Sequence, residues 1–114
     1  MYSLKAIVLE GCPYCNKLKV LLNSNNINTE YITIPWNEKY KYKTEKISTF
    51  PQVYMVKNGE PDILIGGYSN VKTIINLIKE KDFDTIKKKI SSKYYFTSNK
   101  NKLRLIELFT LVKS

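Results

Sequence analysis

Two cysteines are the residues of this chain best suited to chemistry. They stand three apart, in the run Cys12-Pro13-Tyr14-Cys15, and they are the only cysteines in the sequence. Gly11 ends an apolar run and Pro13 suits the first position of a helix, so the two thiols are expected to straddle a helix start. Side chains three apart on adjacent turns lie roughly 5 Å apart, close enough for a disulfide after slight adjustment.

The start of a helix favours negative charge, because its unpaired N–H groups point at the residue before it. Cys12 occupies that position and is expected to be the exposed nucleophile, held as a thiolate. Cys15 lies one turn further in and is expected to be the shielded resolving thiol. The chemistry that this permits is thiol–disulfide exchange through a mixed disulfide. A structural cysteine pair or half of a shared metal site is the alternative, and the strand-to-helix position favours redox chemistry.

The composition excludes several other kinds of site. The chain has no histidine, so Ser/His/Asp and Cys/His catalytic pairs and His-rich metal sites are excluded. One CxxC cannot by itself close a four-ligand zinc site, so no metal is expected. No apolar run approaches the roughly 20 residues that span a bilayer. Residues 1–10 do not resemble a secretory signal, which makes the cytoplasm the expected compartment.

Hydrophobic spacing and turn residues predict one α/β domain over residues 1–80. The predicted strands are residues 2–9, 30–34, 52–56 and 62–65, and the predicted helices are 13–25, a short one within 35–48, and one capped by Ser69 or Asn70. The first two strands should be parallel through a right-handed crossover, and the last two should form an antiparallel hairpin. The predicted fold is a mixed four-stranded sheet with helices on both faces.

Residues 81–114 are expected to form a basic, helical C-terminal extension that packs on this domain. The whole chain carries a net charge of +9. Nine Lys or Arg against three Asp or Glu give the extension +6 of that total. Such a segment could meet nucleic acid, an acidic membrane surface or an acidic partner protein. Its lysines lack the interleaved aromatic residues of a nucleic-acid module, which favours a solvated basic face.

The apolar spacing of the extension predicts helices near residues 83–90 and at 103–112, joined by a polar loop at 97–102. A β-hairpin over residues 94–108 is the competing interpretation, since periodicity alone does not exclude it. The apolar residues of the last segment must be covered by the domain's own helices or by a dimer contact. Those residues are Leu105, Leu108, Phe109 and Val112. The aromatic residues Tyr94, Tyr95 and Phe96 are expected to join the same layer.

Three segments, taken together, resemble the dithiol glutaredoxins. They are the Cys-Pro-Tyr-Cys run at residues 12–15, Thr-Phe-Pro-Gln-Val-Tyr at 49–54, and Gly-Gly-Tyr-Ser-Asn at 66–70. The resemblance spans about residues 3–80 and implies a thioredoxin-like fold. It also implies a glutathione-dependent oxidoreductase that needs no bound cofactor and uses glutathione as co-substrate. Iron–sulfur cluster carriage is disfavoured, because cluster carriers in this family usually differ at the position of Pro13.

The resemblance also implies how the other two segments bind glutathione. Pro51 is predicted to follow a cis peptide bond, so that the backbone of Phe50 faces the thiol and pairs with an extended, peptide-like substrate. Gly67, Tyr68, Ser69 and Asn70 would hold the γ-glutamyl carboxylate, since glycine permits close approach and a helix start offers N–H groups. Tyr14 and Tyr68 would flank the substrate.

The sequence departs from the family pattern at two points. Many members carry Lys or Arg shortly before the active site, where this chain has Leu9, Glu10 and Gly11. The positive charge for the glycine carboxylate of glutathione would then come from another lysine. The candidates are Lys17, Lys19, Lys39, Lys41, Lys43 and Lys46. The family's Asp is Asn70 here, which keeps the capping ability but loses the charge.

The sequence therefore predicts a glutaredoxin that reduces protein disulfides or glutathione mixed disulfides. Its partners would be glutathione and disulfide-containing or glutathionylated proteins. One alternative is a thioredoxin-like donor recycled by thioredoxin reductase, for example one serving ribonucleotide reductase. Another is a redox-inactive binding module that acts through its basic tail.

Overall fold

A four-stranded mixed sheet forms the centre of the protein. The structure, a computed structural model, describes residues 3–80 and 82–110. The strands are β1 (Ser3–Leu9), β2 (Thr29–Ile34), β3 (Gln52–Val56) and β4 (Ile63–Gly66). Their order is β2-β1-β3-β4, with β1 parallel to β2 and antiparallel to β3, and β3 antiparallel to β4. The predicted strands, their directions and the mixed sheet are confirmed.

One face of the sheet is covered by two α-helices, α1 (Pro13–Ser24) and α2 (Tyr68–Glu80), which pack against each other. Alternation along a strand points every second residue to the same face. In β1 those residues are Leu4, Ala6 and Val8, all buried. Their neighbours Val53 and Met55 in β3 are buried with them. Burial of these side chains fixes the position of β1, whose carboxyl end leads into the dithiol.

The opposite face carries a short 3-10 helix, Trp36–Tyr42, in the place of the predicted short helix. The amide of Gln52, which is fully buried, donates to the carbonyl of Tyr42 at 2.8 Å and accepts from the hydroxyl of Tyr54 at 3.0 Å. Because a buried amide without partners would destabilise the fold, these bonds hold the segment against β3. The same segment leads into Phe50 and Pro51.

The start of α2 differs from the prediction. The helix begins at Tyr68, and the carbonyl of Gly67 accepts its first helical bond, from the N–H of Val71. The Asn70 side chain lies inside the first turn, where its Oδ1 accepts from the N–H of Gly67 at 3.0 Å. Neither Ser69 nor Asn70 is the residue before the helix. Asn70 caps from within the helix, as the acidic residue of a capping box does.

The C-terminal extension is helical, in α3 (Phe83–Lys93) and α4 (Asn99–Thr110), and the hairpin alternative is wrong. The predicted polar loop at 97–102 is too long, because α4 begins four residues before the predicted Leu103. Ser98 explains the early start. Its Oγ accepts from the N–H of Asn101 at 3.2 Å, and its carbonyl accepts from Lys102 at 3.0 Å. Residues 111 and 112 of the predicted helix lie outside the described residues.

The apolar face of α4 packs against α2 and α3. Of the two ways to cover it, the domain's own helices or a dimer contact, the structure shows the first. Leu105 and Phe109 are buried in the common core, and Phe109 is 0% exposed. Tyr94 joins them, but Tyr95 and Phe96 do not, being 79% and 56% exposed. The prediction for those two is wrong, because α3 ends at Lys93 and only Tyr94, the first residue of the turn that follows, is buried. None of the helices in the described residues is long and apolar enough to span a membrane.

Candidate active site

The dithiol lies where β1 ends and α1 begins. The turn between them needs a left-handed residue, and Gly11 supplies it with φ +72°. The N–H of Cys12 donates to the carbonyl of Leu9 at 3.2 Å, which closes the turn. Cys12 is the residue before α1, and Pro13 occupies the first helical turn. The strand end and the helix start therefore hold Cys12 at the edge of the sheet, as the spacing predicts.

The sulfur of Cys12 is partly exposed and lies among polar backbone groups. It accepts from the N–H of Cys15 at 3.3 Å, one of the N–H groups left unpaired at a helix start. It also lies 3.8 Å from the carbonyl oxygen of Phe50, to which the thiol donates. Both cysteines are free thiols here. An N–H aimed at sulfur stabilises negative charge on it, which suits a nucleophile.

The sulfur of Cys15 is in the opposite situation. The residue is 1% exposed, and its Sγ accepts from the N–H of Leu9 at 3.4 Å. Burial, together with the hydrogen bond to Cys12, raises the pKa of Cys15 to about 12. The hydrogen bond from the Leu9 N–H lowers this pKa, but by less than the other two effects raise it. Cys15 therefore stays a thiol near neutral pH and cannot make the first attack. Its burial beside Cys12 suits the resolving thiol.

A cis peptide bond joins Phe50 to Pro51, as predicted. With this bond, the carbonyl of Phe50 faces Cys12. The carbonyl oxygen of Pro51 lies beside Gly67, where a Cβ would be 3.5 Å from it. This segment thus lies between the dithiol and the start of α2, so that three segments distant in sequence meet at one place.

One open groove is lined by all seven residues that the three motifs predict to bind glutathione, and one of them, Phe50, contacts Cys12. Its lining includes Tyr14, Phe50, Pro51 and the run Gly67, Tyr68, Ser69 and Asn70. The rings of Tyr14 and Tyr68 lie 5.9 Å apart, so the two aromatic side chains flank one end of the groove. The structure thus brings together the residues that the sequence places in separate segments.

Gly66 is a site residue that the sequence analysis missed. Its φ is +135°, a conformation that side-chain-bearing residues rarely adopt, and a Cβ there would lie 2.5 Å from Cγ of Asn70. The cap that Asn70 makes on Gly67 therefore needs a glycine at position 66. Gly67 has more room. The Gly-Gly pair was the available signal, but it does not tell which glycine is the strained one.

Of the candidate lysines, two lie beside the groove. Lys46 lines it, and the ammonium of Lys17 lies 4.9 Å from the centre of the Tyr14 ring. The others contact different groups. Lys19 lies over Tyr31, Lys39 and Lys43 lie over aromatic rings of the 3-10 helix, and Lys41 pairs with Glu38.

Comparisons with known proteins agree with this geometry. The glutaredoxin family model matches residues 1–60. Among solved structures, the chain is similar to glutaredoxin 1 from Francisella tularensis complexed with cacodylate, with 26% sequence identity and a TM-score of 0.55. That match covers 71% of this chain and 100% of the other. The comparison with curated proteins gave no match.

A half-exposed thiol at a helix start, a buried second thiol and a cis-proline on a mixed sheet define a thiol–disulfide oxidoreductase of the thioredoxin-like fold. The family model matches more than half of the 114 residues. The chain belongs to the glutaredoxin family.

Proposed function

We propose that the protein is a glutathione-dependent oxidoreductase that reduces protein disulfides or glutathione mixed disulfides. One observation carries the proposal. The reachable sulfur of Cys12 lies 3.8 Å from the Phe50 carbonyl oxygen, and Cys15, whose own thiol is buried, donates its N–H to that sulfur. One sulfur of the pair is therefore placed to attack a disulfide, and the other to resolve the mixed disulfide that results.

The reaction is a sequence of two-electron exchanges. The thiolate of Cys12 attacks a substrate disulfide, forms a mixed disulfide and releases one substrate thiol. Cys15 then loses its proton and attacks the sulfur of Cys12, which releases the second substrate thiol and leaves a Cys12–Cys15 disulfide. Two glutathione molecules reduce that disulfide and leave as glutathione disulfide. When the substrate is a glutathione mixed disulfide, glutathione attacks the adduct on Cys12 directly, and Cys15 is not needed.

Glutathione is a short extended peptide with a carboxylate at each end, and the groove suits both features. The backbone of Phe50 lies beside Cys12, where it can pair with the cysteinyl part of glutathione. Gly67 to Asn70 offer a helix start for the γ-glutamyl carboxylate. Lys46 and Lys17 are the lysines close enough to the groove to meet the glycine carboxylate.

Two matched substitutions test the proposal. Cys15→Ser should keep reduction of a small glutathione mixed disulfide by glutathione, because that reaction needs Cys12 alone. It should lose most reduction of protein disulfides, which requires the second thiol. Cys12→Ser should lose both. Loss of both activities in Cys15→Ser would contradict the assigned roles.

The electron source is tested separately. Wild-type protein is oxidised to the Cys12–Cys15 disulfide and then treated either with glutathione or with thioredoxin reductase and NADPH. The proposal expects glutathione to regenerate both thiols. If thioredoxin reductase with NADPH regenerates the thiols and glutathione does not, the thioredoxin-like alternative replaces the glutathione-dependent proposal.

A further inference from the structure

The active-site groove extends beyond the residues that glutathione would use. Its lining continues along the edge strand β4 at Ile63, Leu64 and Ile65, and then onto the turn between α3 and α4. That turn, residues 94–98, is called the tail wall below. A C-terminal segment outside the three active-site motifs therefore forms one side of the site.

The tail wall is fixed to the site. The hydroxyl of Tyr94, a buried residue, donates to the carbonyl of Ile65 at 2.9 Å, one residue before the Gly-Gly pair. The ammonium of Lys46, which also lines the groove, lies 5.8 Å from the centre of the Phe96 ring. These two contacts join the tail wall to β4 and to the segment that leads into Phe50.

Two aromatic rings stand open on this wall. Tyr95 and Phe96 are largely exposed although they line the groove, and their rings lie 6.1 Å apart in an edge-to-face arrangement. Exposed aromatic side chains beside a cleft are typical of a surface that binds a protein segment.

The charges along this part of the groove are unbalanced. Lys46, Lys93 and Lys100 line it, and within residues 3–80 and 82–110 none of them makes an ion pair. Three carboxylates line it as well. Asp62 is paired with Lys5 and Glu60 with Lys57. Of the three carboxylates, Glu45 is therefore the one left to balance the charge of the three lysines. The groove thus presents excess positive charge to whatever lies in it.

We propose that the tail wall and the lysines around it select protein substrates, and that together they favour disulfides whose cysteine is flanked by an extended acidic segment. The part of β4 that lines the groove is four residues long, so about 13 Å of extended chain fits beside it. Because Tyr94 already occupies the Ile65 carbonyl, side chains of the groove rather than strand pairing hold the segment. The unpaired lysines attract the acidic side chains of that segment, and Tyr95 and Phe96 contact its apolar parts. The inference rests on the proposed exchange at Cys12 but does not depend on the electron source.

The test uses full-length protein, reduced beforehand, in single-turnover reactions with short peptides. Each peptide carries one cysteine in a disulfide with thionitrobenzoate, whose release is coloured, and the flanking residues are Glu, Gln or Lys. The same disulfide on N-acetylcysteine, as its methylamide and so without a carboxylate of its own, serves as a reference without flanking residues. The groove variant is Lys93→Glu with Lys100→Glu. The control, Lys87→Glu with Lys88→Glu, makes the same charge change on exposed residues of α3 outside the groove lining.

The Glu-flanked peptide should react faster than the Gln-flanked one, and the Lys-flanked peptide slowest. The groove variant should lose about tenfold in rate with the Glu-flanked peptide, since each reversal turns an attraction into a repulsion. The control should retain most of the preference, and the reference should react equally in all three proteins. Added salt should weaken the preference.

Two results would overturn the inference. One is the absence of any charge preference in the wild type. The other is an equal loss in the control variant, which would attribute the preference to the net charge of the whole chain. Failure of the proposed exchange itself looks different, because the wild type would then not react even with the N-acetylcysteine reference.

Discussion

The hydrogen bond between Tyr94 and Ile65 gives a prediction with a built-in pH signature. Tyr94→Phe removes one buried hydroxyl and leaves the ring in place. The bond is 2.9 Å long and joins residues 29 positions apart. Its loss leaves the carbonyl of Ile65 without that donor, and we expect unfolding free energy to fall by about 1 kcal/mol. The melting temperature should fall by about 4 °C.

Burial raises the pKa of Tyr94 to about 12 from its ordinary value of 10. The unfolded chain therefore loses this proton at lower pH than the folded chain does. The stabilisation due to the buried hydroxyl is complete below about pH 10 and is lost between about pH 10 and 12. At pH 11 the loss is about 1.4 kcal/mol, which cancels the advantage of the wild type.

The assay is urea unfolding followed by far-ultraviolet circular dichroism, at pH 8 and at pH 11. Tyr95→Phe is the matched control, because it removes the hydroxyl of the neighbouring, exposed tyrosine. It should change stability by less than about 0.5 kcal/mol at either pH. The reasoning fails if Tyr94→Phe behaves like this control at pH 8. It also fails if the difference between wild type and Tyr94→Phe is as large at pH 11 as at pH 8.

Three further predictions concern the site and the core. Gly66→Ala should destabilise the protein by about 1–3 kcal/mol and weaken glutathione binding, because its Cβ would clash with the side chain of Asn70. Gly67→Ala is the control and should fold normally. Calorimetry measures the stability and substrate titration measures the binding. Phe109→Ala should cost about 3–5 kcal/mol in urea unfolding, and a loss under 1 kcal/mol would show that α4 is not part of the core. Attack of Cys15 on the mixed disulfide should accelerate about tenfold per pH unit from pH 7 to 8, because burial, the largest cause, raises the pKa of its thiol above that range. A pH-independent rate in stopped-flow measurements would show that another group takes the proton.

The fold was largely predictable because the burial pattern is strong. Most residues of the two central strands, β1 and β3, are apolar and buried, and Pro13 marks the start of α1. The extension was harder to predict. Ser98 lies in a polar stretch that resembles a loop, and only its hydrogen bonds to the next turn show that α4 starts there.

The site could be predicted as three separate motifs, but not as a complete groove. Sequence spacing and the family resemblance found Cys12, Cys15 and the cis bond before Pro51. They could not show that Tyr94 reaches back to Ile65, because no local pattern links positions 29 apart. The exposure of Tyr95 and Phe96 was missed for another reason, because three consecutive aromatic residues suggest a shared core, and the sequence does not show that Tyr94 alone is buried.

The most direct test of the account is the reactivity of the two thiols. Reduced protein is exposed briefly to iodoacetamide at neutral pH, and the labelled peptides are quantified by mass spectrometry. Cys12 should be alkylated faster than a free cysteine in solution, and Cys15 should remain unlabelled in the folded protein. Equal labelling of Cys12 and Cys15, or a Cys12 no faster than free cysteine, would contradict the account.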